Sequence, residues 1–193
     1  MGISLTKGQK VDLTKGNPNF KKLRVGLGWD TNKYTGGDTF DLDASAFLLD
    51  ASGRCEKQED FIFFNNLTGR NGGVVHTGDN LTGEGEGDDE SLIVDFAKVP
   101  ADIVKIAIVA TIYQANEKHQ NFGQVTNAFI RCVDEDTNVE LMRYDLGEDY
   151  STETGLLFAE VYKNNGEWKF SAVGSGYKEG LAGFCTQYGL SLA

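Results

Sequence analysis

Cysteine is scarce. Cys55, Cys132 and Cys185 are an odd set with no CxxC spacing, which reads as reduced thiols in a cytosolic protein rather than a disulfide framework. The two histidines, His76 and His119, lie far in sequence from any cysteine pair, which argues against a zinc site. Proline is nearly absent, with 2 residues in 193. No apolar run approaches the roughly 20 residues of a membrane-spanning helix. The start, Met1-Gly2-Ile3-Ser4-Leu5, lacks the charged and apolar regions of a signal peptide. Gly2 and Thr6 fit a myristoylation motif, but the segment reads better as a first strand and turn. Positive charge is in deficit: 18 Lys and Arg face 29 Asp and Glu, for a net charge of -11. That balance disfavours nucleic acid and anionic membrane surfaces as partners.

What is present is glycine, 24 residues of it, punctuating short apolar runs. This pattern predicts a mainly β fold: a sandwich of two antiparallel or mixed sheets with a few short helices, one of them C-terminal. Its length suits a single domain over residues 1–193. Leu23, Val25, Leu27 and Trp29 alternate with polar residues and glycine, as on a strand with one buried face. The segment 104–113 is apolar on both faces and belongs at the centre of a sheet. Phe61-Ile62-Phe63-Phe64 reads as a short buried strand, and 114–124 as a loop with a helical turn. Asn164-Asn165-Gly166 marks a hairpin. Leu181, Phe184, Cys185 and Tyr188 have helical spacing, with Gly189 as the stop.

The chemistry concentrates in Thr77-Gly78-Asp79-Asn80-Leu81-Thr82-Gly83-Glu84-Gly85-Glu86-Gly87-Asp88-Asp89-Glu90. This stretch carries six carboxylates and no basic residue. Two like charges about 4 Å apart repel by roughly 4 kcal/mol at an effective dielectric near 20, so an ordered loop of this kind calls for a cation. All-oxygen ligands at flexible spacing suit calcium. The alternative is a solvated acidic loop. The stretch is not an EF-hand: counted from Asp79, the third position is Leu81 and the sixth is Glu84. Asp41 and Asp43 would share one strand face, with Leu42, Ala44, Ala46 and Leu48 on the other. That face is either wet or part of the same metal site. Asp145, Glu148 and Asp149 form a lesser acidic group that reads as a solvated turn.

Several blocks together resemble the TerD domain of tellurium-resistance and stress proteins. They are Gly26-Leu27-Gly28-Trp29-Asp30, Asp41-Leu42-Asp43-Ala44-Ser45, His76-Thr77-Gly78-Asp79-Asn80, the 83–90 segment, Asn121-Phe122-Gly123-Gln124-Val125, Gly166-Glu167-Trp168-Lys169-Phe170 and Gly174-Ser175-Gly176-Tyr177. The resemblance spans residues 4–190. It implies a calcium-binding β-sandwich, non-enzymatic, from bacterial clusters tied to tellurite resistance, phage resistance and colicin tolerance. It also implies a calcium-dependent scaffold role near the inner membrane. The calcium ligands it implies lie among Asp30, Asp41, Asp43, Asp79, Asn80, Asp88, Asp89 and Glu90, with carbonyls around Leu81 and Gly83. The expected cofactor is calcium, more than one ion. The expected partners are proteins, including others of the same resistance system, with no integral membrane segment but a peripheral membrane complex open. Two other functions stand beside this one: a calcium-dependent carbohydrate-binding sandwich, and a hydrolase built on paired carboxylates.

Overall fold

A computed structural model describes residues 2–30, 37–78, 80–83, 87–147 and 150–191. The strands form two six-stranded sheets. One sheet contains β1 (Ile3–Ser4), β3 (Lys22–Gly28), β6 (Val74–His76), β7 (Glu90–Asp95), β9 (Phe129–Asp134) and β10 (Val139–Asp145), in the order β1-β10-β9-β3-β7-β6. The other contains β2 (Lys10–Asp12), β4 (Leu42–Leu49), β5 (Phe61–Ile62), β8 (Lys105–Ile112), β11 (Gly155–Asn164) and β12 (Glu167–Tyr177), in the order β2-β12-β11-β8-β4-β5. All pairings are antiparallel except β1 with β10. The first sheet is therefore mixed and the second antiparallel, as the composition predicts.

The core between the sheets comes from strand alternation. Leu23, Val25 and Leu27 of β3, Leu92 and Val94 of β7 and Ile130 and Cys132 of β9 meet Leu42, Ala44, Ala46 and Leu48 of β4 and Ile106, Ile108 and Ala110 of β8. The opposite face of the second sheet is also covered. Phe47, Leu49, Phe61, Ala107, Val109 and Leu157 pack against Phe184, Cys185 and Tyr188, which come from or directly follow the helix α1 (Gly180–Gln187). This second layer explains why β8 is apolar on both faces. The helix ends at Gly189, where φ is +81°. There the Leu190 N–H donates to the Cys185 carbonyl at 2.8 Å, the long bond of a Schellman motif.

The β11–β12 hairpin turns through Asn165 and Gly166, both at positive φ, as that dipeptide requires. One element is shorter than its sequence suggests: only Phe61 and Ile62 of the aromatic run are strand. The Asn66 side-chain amide donates to the Phe61 carbonyl at 2.7 Å, and Phe63 and Asn66 pair with each other. The chain thus closes on itself, and β5 covers β4 only at Ala46 and Phe47. The β4 edge from Ala44 towards Asp41 is left to another partner.

Phe184 is fully buried and touches the rings of Phe47, Tyr177 and Tyr188. Replacing it with Ala should destabilise the protein by about 3–5 kcal/mol, the range for a core Phe. Urea unfolding would measure this; a loss under about 1 kcal/mol would mean that α1 is not a structural layer.

Candidate metal centre

β3 ends, and β4 and β7 begin, at one end of the sandwich. Leu27 pairs with Glu90 there, and Ala44 of β4 donates its N–H to the Glu90 carboxylate at 2.6 Å. The segments 29–30, 41–45, 80–83 and 87–91 therefore converge at the place the open β4 edge exposes.

The three consecutive acids that lead into β7 point three ways. Asp88 lies on the outer face of the first sheet, over Gly26. A Cβ at Gly26 would collide with the Asp88 carboxylate, so a glycine is required there. Asp88 accepts from Arg131 Nε at 2.6 Å, and Arg131 also reaches Glu140 at 3.3 Å. Asp89 accepts the Trp29 N–H at 2.9 Å and the Asn80 side-chain amide at 3.2 Å. Burial pushes the Asp89 carboxyl above its usual range; the Trp29 N–H opposes that, and the charges of Asp88 and Asp30 add to it. Glu90 turns inward between the sheets, on the same face of β7 as Leu92 and Val94. It accepts the N–H groups of Ala44 and Asn80, the latter at 3.2 Å, and lies 3.3 Å from His76 Nε2, a close approach without hydrogen-bond geometry. Burial raises its carboxyl too, against the lowering effect of the nearby His76 and the two N–H donors.

Asp41 and Asp43 are 7% and 5% exposed. This overturns the reading of their strand face as wet: Asp43, Ser45, Phe47 and Leu49 share a face that the aromatic cluster and α1 cover further along. Asp41 and Asp43 line a cavity of about 180 Å³ together with Phe64, Leu81 and Tyr113. Tyr113 donates its N–H to the Asp41 carbonyl at 2.8 Å. The Asn80 side-chain oxygen accepts the N–H groups of Thr82 at 3.2 Å and Gly83 at 3.1 Å. This Asx turn leads Gly83 (φ +69°) beneath the Trp29 indole, whose Nε1 donates to the Phe40 carbonyl at 3.2 Å. Asp30 accepts the Asn127 amide at 2.7 Å.

The structure thus brings Asp41, Asp43, Asn80, Leu81, Gly83, Asp89 and Glu90 together, with Asp30 in electrostatic reach of Asp89. Asp88 is turned to the outer face. Asp79, residues 84–86, Glu148 and Asp149 lie outside the described residues. Among the described residues, no three His, Cys, Asp or Glu side chains converge closely enough to hold an ion. The donor set is nonetheless all oxygen, carboxylates with one amide, the chemistry of a hard cation. Four contributors escaped the sequence reading: Trp29, Ala44, His76 and Arg131. Trp29, Ala44 and His76 stood in the blocks that carry the resemblance, without a role of their own; Arg131 carried no signal.

These features define a two-sheet sandwich with an acidic end, closed by a loop between β6 and β7. The TerD domain family model matches residues 1–188, and the chain belongs to that family. The chain is 63% identical over 192 residues to General stress protein 16U of Bacillus subtilis (strain 168), covering 100% of both chains. It is 56% identical over 191 residues to tellurium resistance protein TerD of Serratia marcescens, covering 99% of each. Its fold matches a solved homologue of telluride resistance protein (TerD) from Streptomyces coelicolor A3(2), with a TM-score of 0.73, 21% identity and coverage of 90% of this chain and 100% of that one. The family is thus one of tellurite-resistance and stress-response proteins.

Gly83→Ala tests the loop geometry. A side chain there must leave positive φ or displace the Trp29 indole, and overpacking of this kind costs about 1–3 kcal/mol. Thermal melts followed by tryptophan fluorescence should fall accordingly and show an altered Trp29 signal; an unchanged spectrum and midpoint would contradict the described loop path.

Proposed function

We propose that this chain is a calcium-binding protein of the tellurite-resistance and stress response, working in the cytoplasm as a calcium-dependent interaction or scaffold module rather than as an enzyme. The single observation that carries this reading is the cavity that Asp41 and Asp43 share with Leu81 of the acidic loop. Strand carboxylates of very low exposure and a residue of the loop there face one small volume. Carboxylates withdrawn from water repel one another, and a divalent cation offsets that repulsion. Calcium takes six to eight oxygens at tolerant geometry. Asp41, Asp43, Asp89, Asn80 and the carbonyls of Leu81 and Gly83 are the groups assigned to hold it, with Asp79 from the same loop and Asp30 adding negative charge. Asp88, held on the outer face by Arg131, stands outside this set. The cation would bridge the carboxylates of β4 and the oxygens of the loop.

An interaction role is supported by what surrounds the acids. Leu81 and Tyr113 are 58% and 42% exposed and, with Phe64, form an apolar collar around the cavity. Exposed apolar surface beside a polar centre is the usual mark of a contact site. The relatives' names, a general stress protein and a tellurium resistance protein, agree with a protective role. Among the described residues no helix is long and apolar enough to cross a membrane.

Calorimetric titration of metal-free protein with calcium tests the reading. A ligand at about 100 times its dissociation constant adds about 2.7 kcal/mol to stability, so melts in calcium should sit clearly above melts in chelator. Asp43→Asn should weaken binding at least about tenfold, one charge-assisted contact being worth about 1.5–3 kcal/mol, while Asp149→Ala should leave it unchanged. Absence of heat and identical melts would end the proposal; equal loss in both variants would move the site to the lesser acidic group.

A further inference from the structure

Glu90 is the acid most deeply enclosed at this end of the sandwich. Its side chain has 0% exposure and that of His76 has 1%. Both of its oxygens are engaged by the protein: Oε1 accepts the Asn80 N–H at 3.2 Å, and Oε2 accepts the Ala44 N–H at 2.6 Å and stands 3.3 Å from His76 Nε2. These partners come from three different segments. Ala44 is on the β4 edge of the second sheet, Asn80 is in the acidic loop, and His76 ends β6. Glu90 itself begins β7. On its other side, His76 Nδ1 accepts the Gly78 N–H at 3.1 Å. A neutral imidazole that accepts at Nδ1 carries its proton on Nε2, the nitrogen facing Glu90. One chain of contacts therefore runs from the β4 edge through Glu90 and His76 to the backbone of the acidic loop at Gly78 and Asn80.

From this we propose that Glu90 is a positioning residue rather than a calcium ligand, and that the Glu90–His76 pair sets the acidic loop against β4 before any metal arrives. The proposal rests on the calcium reading only for what the loop is positioned to do. An enclosed carboxylate without a compensating donor is strongly unfavourable. Its charge thus obliges the N–H groups of Ala44 and Asn80 to point at it, and so fixes the distance between the strand carrying Asp43 and the loop carrying Asn80. Asp41 and Asp43 line the cavity, whereas the Glu90 side chain has no exposed surface to present to a cation. The arrangement parallels the partners that orient metal ligands from behind without touching the metal.

The test is amide hydrogen exchange in the full chain in the presence of chelator, followed by calcium calorimetry, on Glu90→Gln, His76→Gln and Asp41→Asn. Glu90→Gln removes the charge but keeps an acceptor; His76→Gln perturbs the pair from the other side and guards against a Glu90 variant that fails to fold. The amides of Ala44, Gly78 and Asn80 should exchange at least about tenfold faster in both pair variants, while that of Val109 in β8 stays as in the parent. Asp41→Asn, a variant of a proposed ligand, should leave the loop amides as they are and weaken calcium binding. If the pair variants accelerate the loop amides but the parent protein binds no calcium, the positioning role stands and the calcium reading falls. If Glu90→Gln abolishes calcium binding with loop exchange unchanged in chelator, Glu90 is a ligand and the proposal is overturned. Acceleration that extends equally to Val109 would also overturn it, since that is a loss of global stability rather than of loop position.

Discussion

A carboxylate with no exposed surface lies between two β-sheets at Glu90, and the acidic end of the molecule is arranged around it. An enclosed charge needs donors on all sides. Here they are the backbone N–H groups of β4 and of the acidic loop, with the His76 ring 3.3 Å away. The requirement explains the short β5. Had the aromatic run continued as strand beyond Ile62, it would compete for the β4 edge at Ala44. Asn66 instead folds the chain back after Phe63, and the Ala44 N–H is left for Glu90. An irregularity in one sheet thus provides the link to the other.

The same end of the sandwich separates its negative charges by direction. Asp88 goes outward to Arg131, Asp89 stays along the strand end with Trp29 and Asn80, and Glu90 goes inward. Strict alternation would put Asp88 and Glu90 on one face; they part because the regular pairing of β7 begins only at Glu90, and Leu27, its partner there, also accepts the Asp89 N–H. Asp41 and Asp43, two apart, return to one face and one cavity. That pairing is what the calcium proposal addresses. At this point β4 is paired with β8 along its length, and α1 covers it further along. The strand carboxylates are therefore a fixed half and the 80–83 segment the half that is fitted to them.

Much of the fold was legible before the structure. Two-faced apolarity put 104–113 at a sheet centre, the Asn165–Gly166 pair marked its hairpin, and the spacing of Leu181, Phe184, Cys185 and Tyr188 marked the helix. These are local signals, carried by turn chemistry and periodicity. Charge singled out the strand 41–43 and the acidic loop, since like charges on one face call for a partner; the structure sets Leu81 of that loop beside Asp41 and Asp43. Other features were not. Nothing in the local pattern of Arg131 says that it reaches across β3 to meet Asp88. The aromatic run 61–64 has strand composition, and only the capture of the Phe61 carbonyl by Asn66 breaks it. Glu90 looked like the last ligand of an acidic run because sequence shows its charge but not its direction; alternation within β7, whose start was unknown, turns it inward.

The central claim is that a cation site lies between the β4 carboxylates and the acidic loop, beside Trp29. Trp29 is close by contact, since its N–H donates to Asp89 and its indole covers Gly83; Trp168 instead packs against Phe96 and Thr14. Terbium(III), an oxygen-seeking substitute for calcium, emits when a nearby indole passes it energy. Titration of the metal-free protein with terbium should give emission excited through tryptophan that calcium displaces, that Trp29→Phe removes and that Trp168→Phe leaves intact. Emission that survives Trp29→Phe but needs Trp168, or that calcium does not displace, would contradict the account.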